Sequence, residues 1–342
     1  MKSQPDYLSR LEHVVRTQLS NQKVGYLLGA GASYLDGAGY PLAFGLWDMI
    51  KDDITEIERI EIQAKLDLEG TEGIEHALDL LDQGGPTPPP HRLLVTKAIA
   101  KVFQTVSPPL EQHCDFVQRV AKRTEGFIPI FSLNYDPLIE FASVVSKVSV
   151  FDGFTGFDKA FFKPDGFEKI LCSEEIVRKG KYRLTRDSGA IHLYKLHGSM
   201  GWYESGGDAF RINTKVCPEE AWENLMIPPQ YRKAFDTTSQ PYSSLWTKYR
   251  MWLVHGPRLL NRLVCIGYGM RDEHVNDVIE SATSRGNFTL LIFARSLVDE
   301  AFSKWSQKRN VIIVTRERSS LFSEIGPGHQ KLWDFATLCK EV

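Results

Sequence analysis

The stretch Val24-Gly25-Tyr26-Leu27-Leu28-Gly29-Ala30-Gly31-Ala32-Ser33 decides the fold. A short apolar run that stops in a cluster of glycine, alanine and serine predicts a buried strand feeding a tight glycine turn. Glycines at 29 and 31 let backbone amides approach a diphosphate, and the helix start that follows adds amide donors and a favourable dipole. Ser33 can donate one more hydrogen bond. The GxGxxG pattern is incomplete, because Tyr34 stands where its third glycine would fall. A glycine turn that only packs strand against helix is the competing explanation.

Outward from this turn, the theme of strand, polar loop and helix repeats. Tyr7 to Leu19 has apolar residues at three- and four-residue steps and predicts a helix ahead of the first strand. From Phe44 to about Ile130 the pattern is mainly helical, interrupted by the extended loop Gly84-Gly85-Pro86-Thr87-Pro88-Pro89-Pro90. Phe127 to Leu133 predicts a strand ending at Asn134-Tyr135-Asp136-Pro137, with a helix over Leu138 to Val148. Residues 149 to 190, rich in glycine, phenylalanine and charge, predict turns and a small β or irregular insertion. Ala190 to Leu196 is the next strand and ends at His197-Gly198-Ser199. Residues 200 to 250 are mixed, with Trp202, Trp222, Trp246 and the Ile227-Pro228-Pro229 break. Arg262 to Ile266, ending at Gly267-Tyr268-Gly269, and Phe288 to Phe293 predict strands flanking a helix over Asp272 to Ser284, and Val311 to Thr315 predicts one more.

Strands separated by helices imply right-handed crossovers and a parallel sheet whose ligand sits beyond the carboxyl ends of the strands. The expected fold is therefore α/β, a Rossmann-like parallel sheet with helices on both faces and a smaller accessory helical or irregular region. One domain over 1–342 is expected. Its core lies at approximately 20–48, 125–148, 188–200 and 258–316, and accessory segments occupy approximately 49–124, 149–187 and 201–257.

Composition removes several classes of function. Lysine plus arginine number 41 against 43 for aspartate plus glutamate, so the net charge of -2 gives no general attraction to nucleic acid or anionic membrane. The five cysteines, at 114, 172, 217, 265 and 339, form no CxxC pair, which predicts reduced thiols and no zinc site. The N-terminal Met1 to Val15 lacks the basic-then-apolar run of a secretory signal, and no stretch reaches the roughly 20 apolar residues of a membrane span. A cytoplasmic location is expected.

Four strand ends carry the chemistry-bearing residues, and in such a sheet they converge. Asn134 and Asp136 can cap the helix before Leu138 or act in a site. His197 can be a satisfied core histidine or a base, and Asp272 can bind a ribose hydroxyl or cap its helix. An amide, a carboxylate and an imidazole beside a phosphate cradle make a candidate site where a cleft is expected.

GAGAS at 29–33, NYD at 134–136, LHGS at 196–199 and GYGMRDEHVN at 267–276 resemble the sirtuin-like family, in the family's order, from Val24 to about Phe293. Gly39-Tyr40-Pro41 to Leu46-Trp47 and Asp152-Gly153-Phe154 are similar to its bacterial branch, which is linked to antiphage defence. Two departures separate the chain from sirtuin deacylases. The paired CxxC motifs after the histidine-glycine element are missing, residues 200–262 holding only Cys217. His197 also lies 63 positions after Asn134, much farther than in deacylases.

The resemblance implies NAD as substrate, no zinc, and NAD hydrolysis to nicotinamide and ADP-ribose. Asn134 would hold the ribose or the attacking water, Asp136 would fix the nicotinamide end or support Asn134, and His197 would take a proton. Gly29, Ala30, Gly31 and Ser33 would cradle the diphosphate, with Gly267 and Tyr268 bordering the adenosine half. Pro41 and Trp47 would shape or pack the loop over NAD. The alternatives are a module that senses NAD or ADP-ribose without hydrolysis, and a deacylase. An active NADase needs control, and in similar defence systems a chain of this size works beside a HerA-type ATPase or an Argonaute, the ATPase being the preferred partner here. A homo-oligomer is expected too, through the tryptophans and the aromatic segment Phe151 to Phe167.

Overall fold

The computed structural model describes residues 6–71, 73–82, 90–123, 127–168, 172–186, 189–212 and 239–341. A nine-stranded sheet organises the chain. Its strands are β1 (Val24–Leu28), β2 (Phe127–Ser132), β3 (Val150–Phe151), β4 (Ala190–Lys195), β5 (Arg262–Ile266), β6 (Thr289–Phe293), β7 (Val311–Val314), β8 (Arg318–Leu321) and β9 (Glu324–Pro327). They lie in the order β9-β8-β7-β6-β5-β1-β2-β4-β3. From β3 to β7 every neighbouring pair is parallel, and β8 and β9 close the edge as an antiparallel hairpin. The chain leaves β1 toward β2 and later returns to the other side of β1 as β5. Strand order therefore reverses at β1, which puts the crevice of the fold at the carboxyl ends of β1, β5 and β2.

The near-continuous apolar strands follow from burial on both faces. Side chains alternate with period two along a strand, and each strand here feeds two separate cores. Tyr26, Leu28, Ile128, Ile130, Val264 and Ile266 pack with the helices Tyr7–Leu19, Glu111–Arg123 and Leu138–Ser146. Leu27, Phe131, Leu263, Cys265, Leu290 and Ile292 pack with the helices Tyr242–Arg250, Glu273–Thr283 and Asp299–Ser306. Helices thus cover both faces, as the sequence predicts.

A third core joins the helices Ala43–Ile50, Glu56–Leu66, Ile74–Leu81 and Pro90–Thr105 around Trp47, Ile62, Leu78 and Ile99, and reaches the strand ends through Leu138 and Met200. Trp47 is buried and its indole N–H donates to Gln63 Oε1 at 2.7 Å, so it packs this helical layer. Most of the proline-rich loop lies outside the described residues. Pro90 opens its helix, where a missing N–H costs nothing.

The accessory region holds more β structure than expected. Phe154–Gly156, Lys159–Phe162, Trp202–Ser205 and Asp208–Ile212 form a four-stranded antiparallel sheet, and Cys172–Arg178 with Lys181–Arg186 form a separate hairpin. Trp222 and the Ile227-Pro228-Pro229 break lie outside the described residues. Cys114, Cys172, Cys265 and Cys339 are free thiols, and Cys217 is outside the described residues. Among the described residues no helix is long and apolar enough to cross a membrane.

His113, on the helix Glu111–Arg123, is 1% exposed and packs on the Phe335 ring at 4.8 Å between centroids. Burial pushes its imidazole down to about 4, against the opposing pull of Asp136. The unfolded chain takes up this proton near pH 6.5, whereas the folded chain resists until about 4. The associated stability is therefore complete above pH 6.5 and lost as pH falls toward 4, up to roughly 3 kcal/mol. Urea unfolding at pH 4, 5, 6 and 7 is expected to show this slope, and His113→Phe is expected to reduce it, the buried His192 contributing over the same range.

Candidate functional site

The glycines at the ends of β1 and β5 bring two loops into backbone contact. Gly29 N–H donates to the Ile266 carbonyl and Gly31 N–H to the Gly267 carbonyl, each at 2.9 Å. A Cβ on Gly29 would come within 2.7 Å of the Gly267 oxygen, and one on Gly31 within 2.8 Å of the Gly267 Cα. Gly267 has φ +64°, and a Cβ there would lie 2.2 Å from the Ala32 nitrogen. Close approach of the two loops thus suffices to require glycine at all three positions. In this conformation the amides of Gly29 and Gly31 are already engaged, Ala30 is the exposed residue of the turn, and Ser33 is buried.

Asn134, just past β2, faces this turn. Its Nδ2 donates to the Gly29 carbonyl at 3.0 Å and to Ser33 Oγ at 2.8 Å. Its backbone N–H donates to Ser132 Oγ at 3.1 Å, which fixes the loop as it leaves the strand.

Asp136 is turned to a different task. Its Oδ1 accepts from the Leu138 N–H at 3.1 Å, satisfying a donor at the start of the helix Leu138–Ser146, and its carbonyl accepts from Lys195 Nζ. This i to i+2 contact is an Asx turn leading into the helix, whose N-cap is Pro137. Asp136→Ala is expected to lower stability by about 1 kcal/mol, and Asp136→Asn by much less. Calorimetric melting checks both.

His197 follows β4 at the left-handed Gly198 and is buried. Its Nε2 lies 3.1 Å from Asp272 Oδ2. Asp272 is also the N-cap of the helix Glu273–Thr283, its Oδ1 accepting from the Val275 N–H at 3.2 Å. One carboxylate therefore starts a helix and lies within ion-pair distance of an imidazole. This partnership has no local sequence signal, since the two residues belong to different loops 75 positions apart. The loops after β2 and β4 are tied together as well, because Ser199 Oγ and the Met200 N–H each donate to the Tyr135 carbonyl at 3.1 Å.

Tyr268 is buried and packs into the core. Its hydroxyl accepts from the Asp272 N–H at 3.1 Å and lies 3.0 Å from Asn276 Oδ1, so it braces the loop that carries Asp272. Burial pushes its phenol well above the usual range, with Asp272 adding to the effect.

Sequence reasoning missed Lys195 and Glu140, although a lysine closing an apolar strand was the available signal. Lys195 is 1% exposed, and its Nζ is 3.4 Å from Glu140 Oε1. Burial raises the Glu140 carboxyl above its ordinary value, and Lys195 opposes that shift. Glu140, Ser199, Met200, Trp202 and Arg211 line a cavity of about 310 Å³ beside this pair. Among the described residues no cluster of three or more histidine, cysteine, aspartate or glutamate side chains is placed to hold a metal ion.

Polar side chains thus gather at the carboxyl ends of a parallel sheet, around a reversal of strand order, where doubly wound α/β proteins bind their ligands. A family model described as SIR2-like domain matches residues 129–314, more than half of the chain. The chain belongs to the SIR2-like family, whose members use NAD. It is also similar to a chain of the solved structure reported as "Structural Basis for the Mechanism and Regulation of Sir2 Enzymes", at 11% identity and a TM-score of 0.39, over 96% of this chain and 95% of that one. Comparison with curated proteins gives no match.

Proposed function

We propose that the protein is an NAD glycohydrolase that cleaves the nicotinamide-ribose bond, the whole chain acting as one domain. The observation that carries this reading is a continuous circuit of contacts across four strand ends. Asn134 holds Gly29 and Ser33, Gly31 meets Gly267, and the loop from Gly267 brings Asp272 to His197.

The chemistry asked of these groups is modest. The C–N bond to nicotinamide breaks with its electron pair leaving on the neutral base, while the ribose gains oxocarbenium-like charge. Water attacks C1′ and gives up a proton. His197 takes that proton, and the Asp272 carboxylate orients the imidazole and stabilises the imidazolium as it forms. Asn134 positions the ribose or the water, and Asp136 holds the loop that presents Asn134. Gly29, Ala30, Gly31 and Ser33 run along the diphosphate, with Ala30 and the Ser33 hydroxyl as its polar contacts, and Gly267 and Tyr268 shape the adenosine side.

A second reading, a sensor that binds NAD or ADP-ribose intact, draws support from the engaged amides of Gly29 and Gly31 and the burial of His197. Incubation of the purified chain with NAD, followed by mass spectrometry, separates the two. Equal amounts of nicotinamide and ADP-ribose support hydrolysis. Intact NAD carried through purification supports the sensor, and nicotinamide release only in the presence of an acyl-lysine peptide supports a deacylase.

Continuous NAD destruction would harm the host cell, so hydrolysis is held in check by a partner, an assembly state or a trigger. In this reading the chain acts in the cytoplasm as a homo-oligomer in antiphage defence, beside a HerA-type ATPase rather than an Argonaute. Size-exclusion chromatography of the chain co-expressed with its neighbouring gene product, paired with the NAD assay, tests the partnership.

A further inference from the structure

The hairpin of Cys172–Arg178 and Lys181–Arg186 stands apart from both larger sheets, and every residue from Cys172 to Leu184 is exposed. Its register sorts the side chains. Ile176 lies opposite Tyr182 and Glu174 opposite Leu184, which puts Ile176, Tyr182 and Leu184 on one face. These three are 71%, 60% and 70% exposed. Glu175 and Arg183 lie opposite each other on the other face. The ribbon therefore has the apolar and polar faces of an antiparallel sheet meant to be covered on one side, yet no described residue covers it. A lone two-stranded hairpin is marginal in water and needs a helix or further strands against its apolar face.

Charge selects the surface that belongs there. Residues 172–186 hold five basic residues against two acidic ones. At the tip Arg178 lies opposite Lys181, with Lys179 in the turn between them. Like charges directly across two strands are destabilising, and an anionic neighbour relieves them.

The same chain carries such a surface. The helix Glu56–Leu66 buries Ile62 in the third core and turns its opposite face to solvent. Ile57, Ile60 and Ala64, spaced at three and four residues, form an exposed apolar stripe there, with Glu56 and Glu61 on its flanks. Ile57 is 71% and Ile60 60% exposed. Residues 48–69 hold eight acidic residues against three basic ones. Lys101 reaches Asp53 and His91 reaches Glu61 from the helix Pro90–Thr105, so three acids remain in excess even with His91 protonated. The lengths are comparable too, about 20 Å for a strand of seven residues and about 16 Å for a helix of eleven.

Both faces are open within one chain, so they do not cover each other there. We propose that they cover each other between two copies, the hairpin of each chain lying on the helix Glu56–Leu66 of the other. Reciprocal exchange about a twofold axis closes both contacts at once, whereas a one-way contact leaves a hairpin and a stripe open at the ends. The inference rests on the homo-oligomer of the proposed function, gives it an interface other than the aromatic segment Phe151 to Phe167, and is independent of NAD turnover.

Light scattering after size exclusion of the full chain at micromolar concentration tests it, and an even multiple of the chain mass is expected. Arg178→Glu with Lys181→Glu, and separately Glu56→Lys with Glu61→Lys, set like charges against each other at both contacts. Each pair is expected to weaken association at least roughly tenfold. Mixing the two charge-reversed proteins brings a reversed hairpin to a reversed helix at one contact and a native hairpin to a native helix at the other. The mixture is therefore expected to regain the parent's association, a rescue that loss of fold would not allow. Phe157→Ser, in the aromatic segment, is expected to leave the parent assembly intact. A monomeric parent overturns the proposal together with the homo-oligomer, and pelleting with phosphatidylserine vesicles or retarding duplex DNA would then assign the hairpin to a polyanion. A parent assembly that survives both charge reversals, or that Phe157→Ser dissociates, overturns this interface and leaves the homo-oligomer standing. A mixture that stays dissociated overturns the reciprocal contact as well.

Discussion

His197→Ala and Asn134→Ala are each expected to lower NAD turnover by roughly a hundredfold or more, the usual contribution of a positioned acid or base. The two losses have different physical origins. His197→Ala removes the proton acceptor and leaves the Asp272 carboxylate facing an empty space, while its second oxygen still caps the helix Glu273–Thr283. Asn134→Ala removes the side chain that joins the loop after β2 to the glycine turn, two hydrogen bonds each contributing about 1 kcal/mol. It is therefore expected to lose stability along with turnover. Mass spectrometry of NAD incubations, run well below each variant's melting temperature, separates chemistry from unfolding. Parent-like rates in both variants would show that these residues do not carry the reaction.

Gly267→Ala is expected to be the most damaging small substitution at the site. Its φ of +64° strains any side chain, and the new Cβ would meet the Ala32 nitrogen at 2.2 Å, a backbone atom that cannot swing aside. Relief requires the β1 and β5 loops to separate, which breaks the Gly31–Gly267 hydrogen bond and shifts Gly29, the anchor of Asn134. A loss of roughly 3 kcal/mol or more follows, together with most of the turnover. Gly45→Ala is the control, because nothing lies within 4 Å of a Cβ there and the residue sits in the helix Ala43–Ile50. It is expected to be neutral or stabilising by up to about 1 kcal/mol. Paired thermal melts decide the comparison.

How much the sequence reveals depends on how local each cause is. β1 and β5 are legible to the residue, since a central parallel strand is buried on both faces and ends at a glycine that its neighbour's loop demands. The helix over Glu273–Thr283 is equally legible through its Asp272 cap. β3 is two residues long, and β8 and β9, Arg-Ser-Ser-Leu and Glu-Ile-Gly-Pro, lack an apolar run, so pairing in the folded chain defines them. Within the site, the convergence of Asn134 on the glycine turn follows from the expected topology, whereas the Asp272–His197 contact depends on how two distant loops meet. The glycines illustrate a cause that sequence alone misassigns. A diphosphate can require small residues at 29 and 31, yet the approach of the Gly267 backbone already does so.

A crystal structure of the His197→Ala variant soaked with NAD measures the decisive geometry. The nicotinamide ribose is expected between Asn134 and position 197, with the diphosphate along Ala30 and Ser33. A dinucleotide bound elsewhere, or one whose nicotinamide ribose points away from Asn134, contradicts the hydrolase assignment.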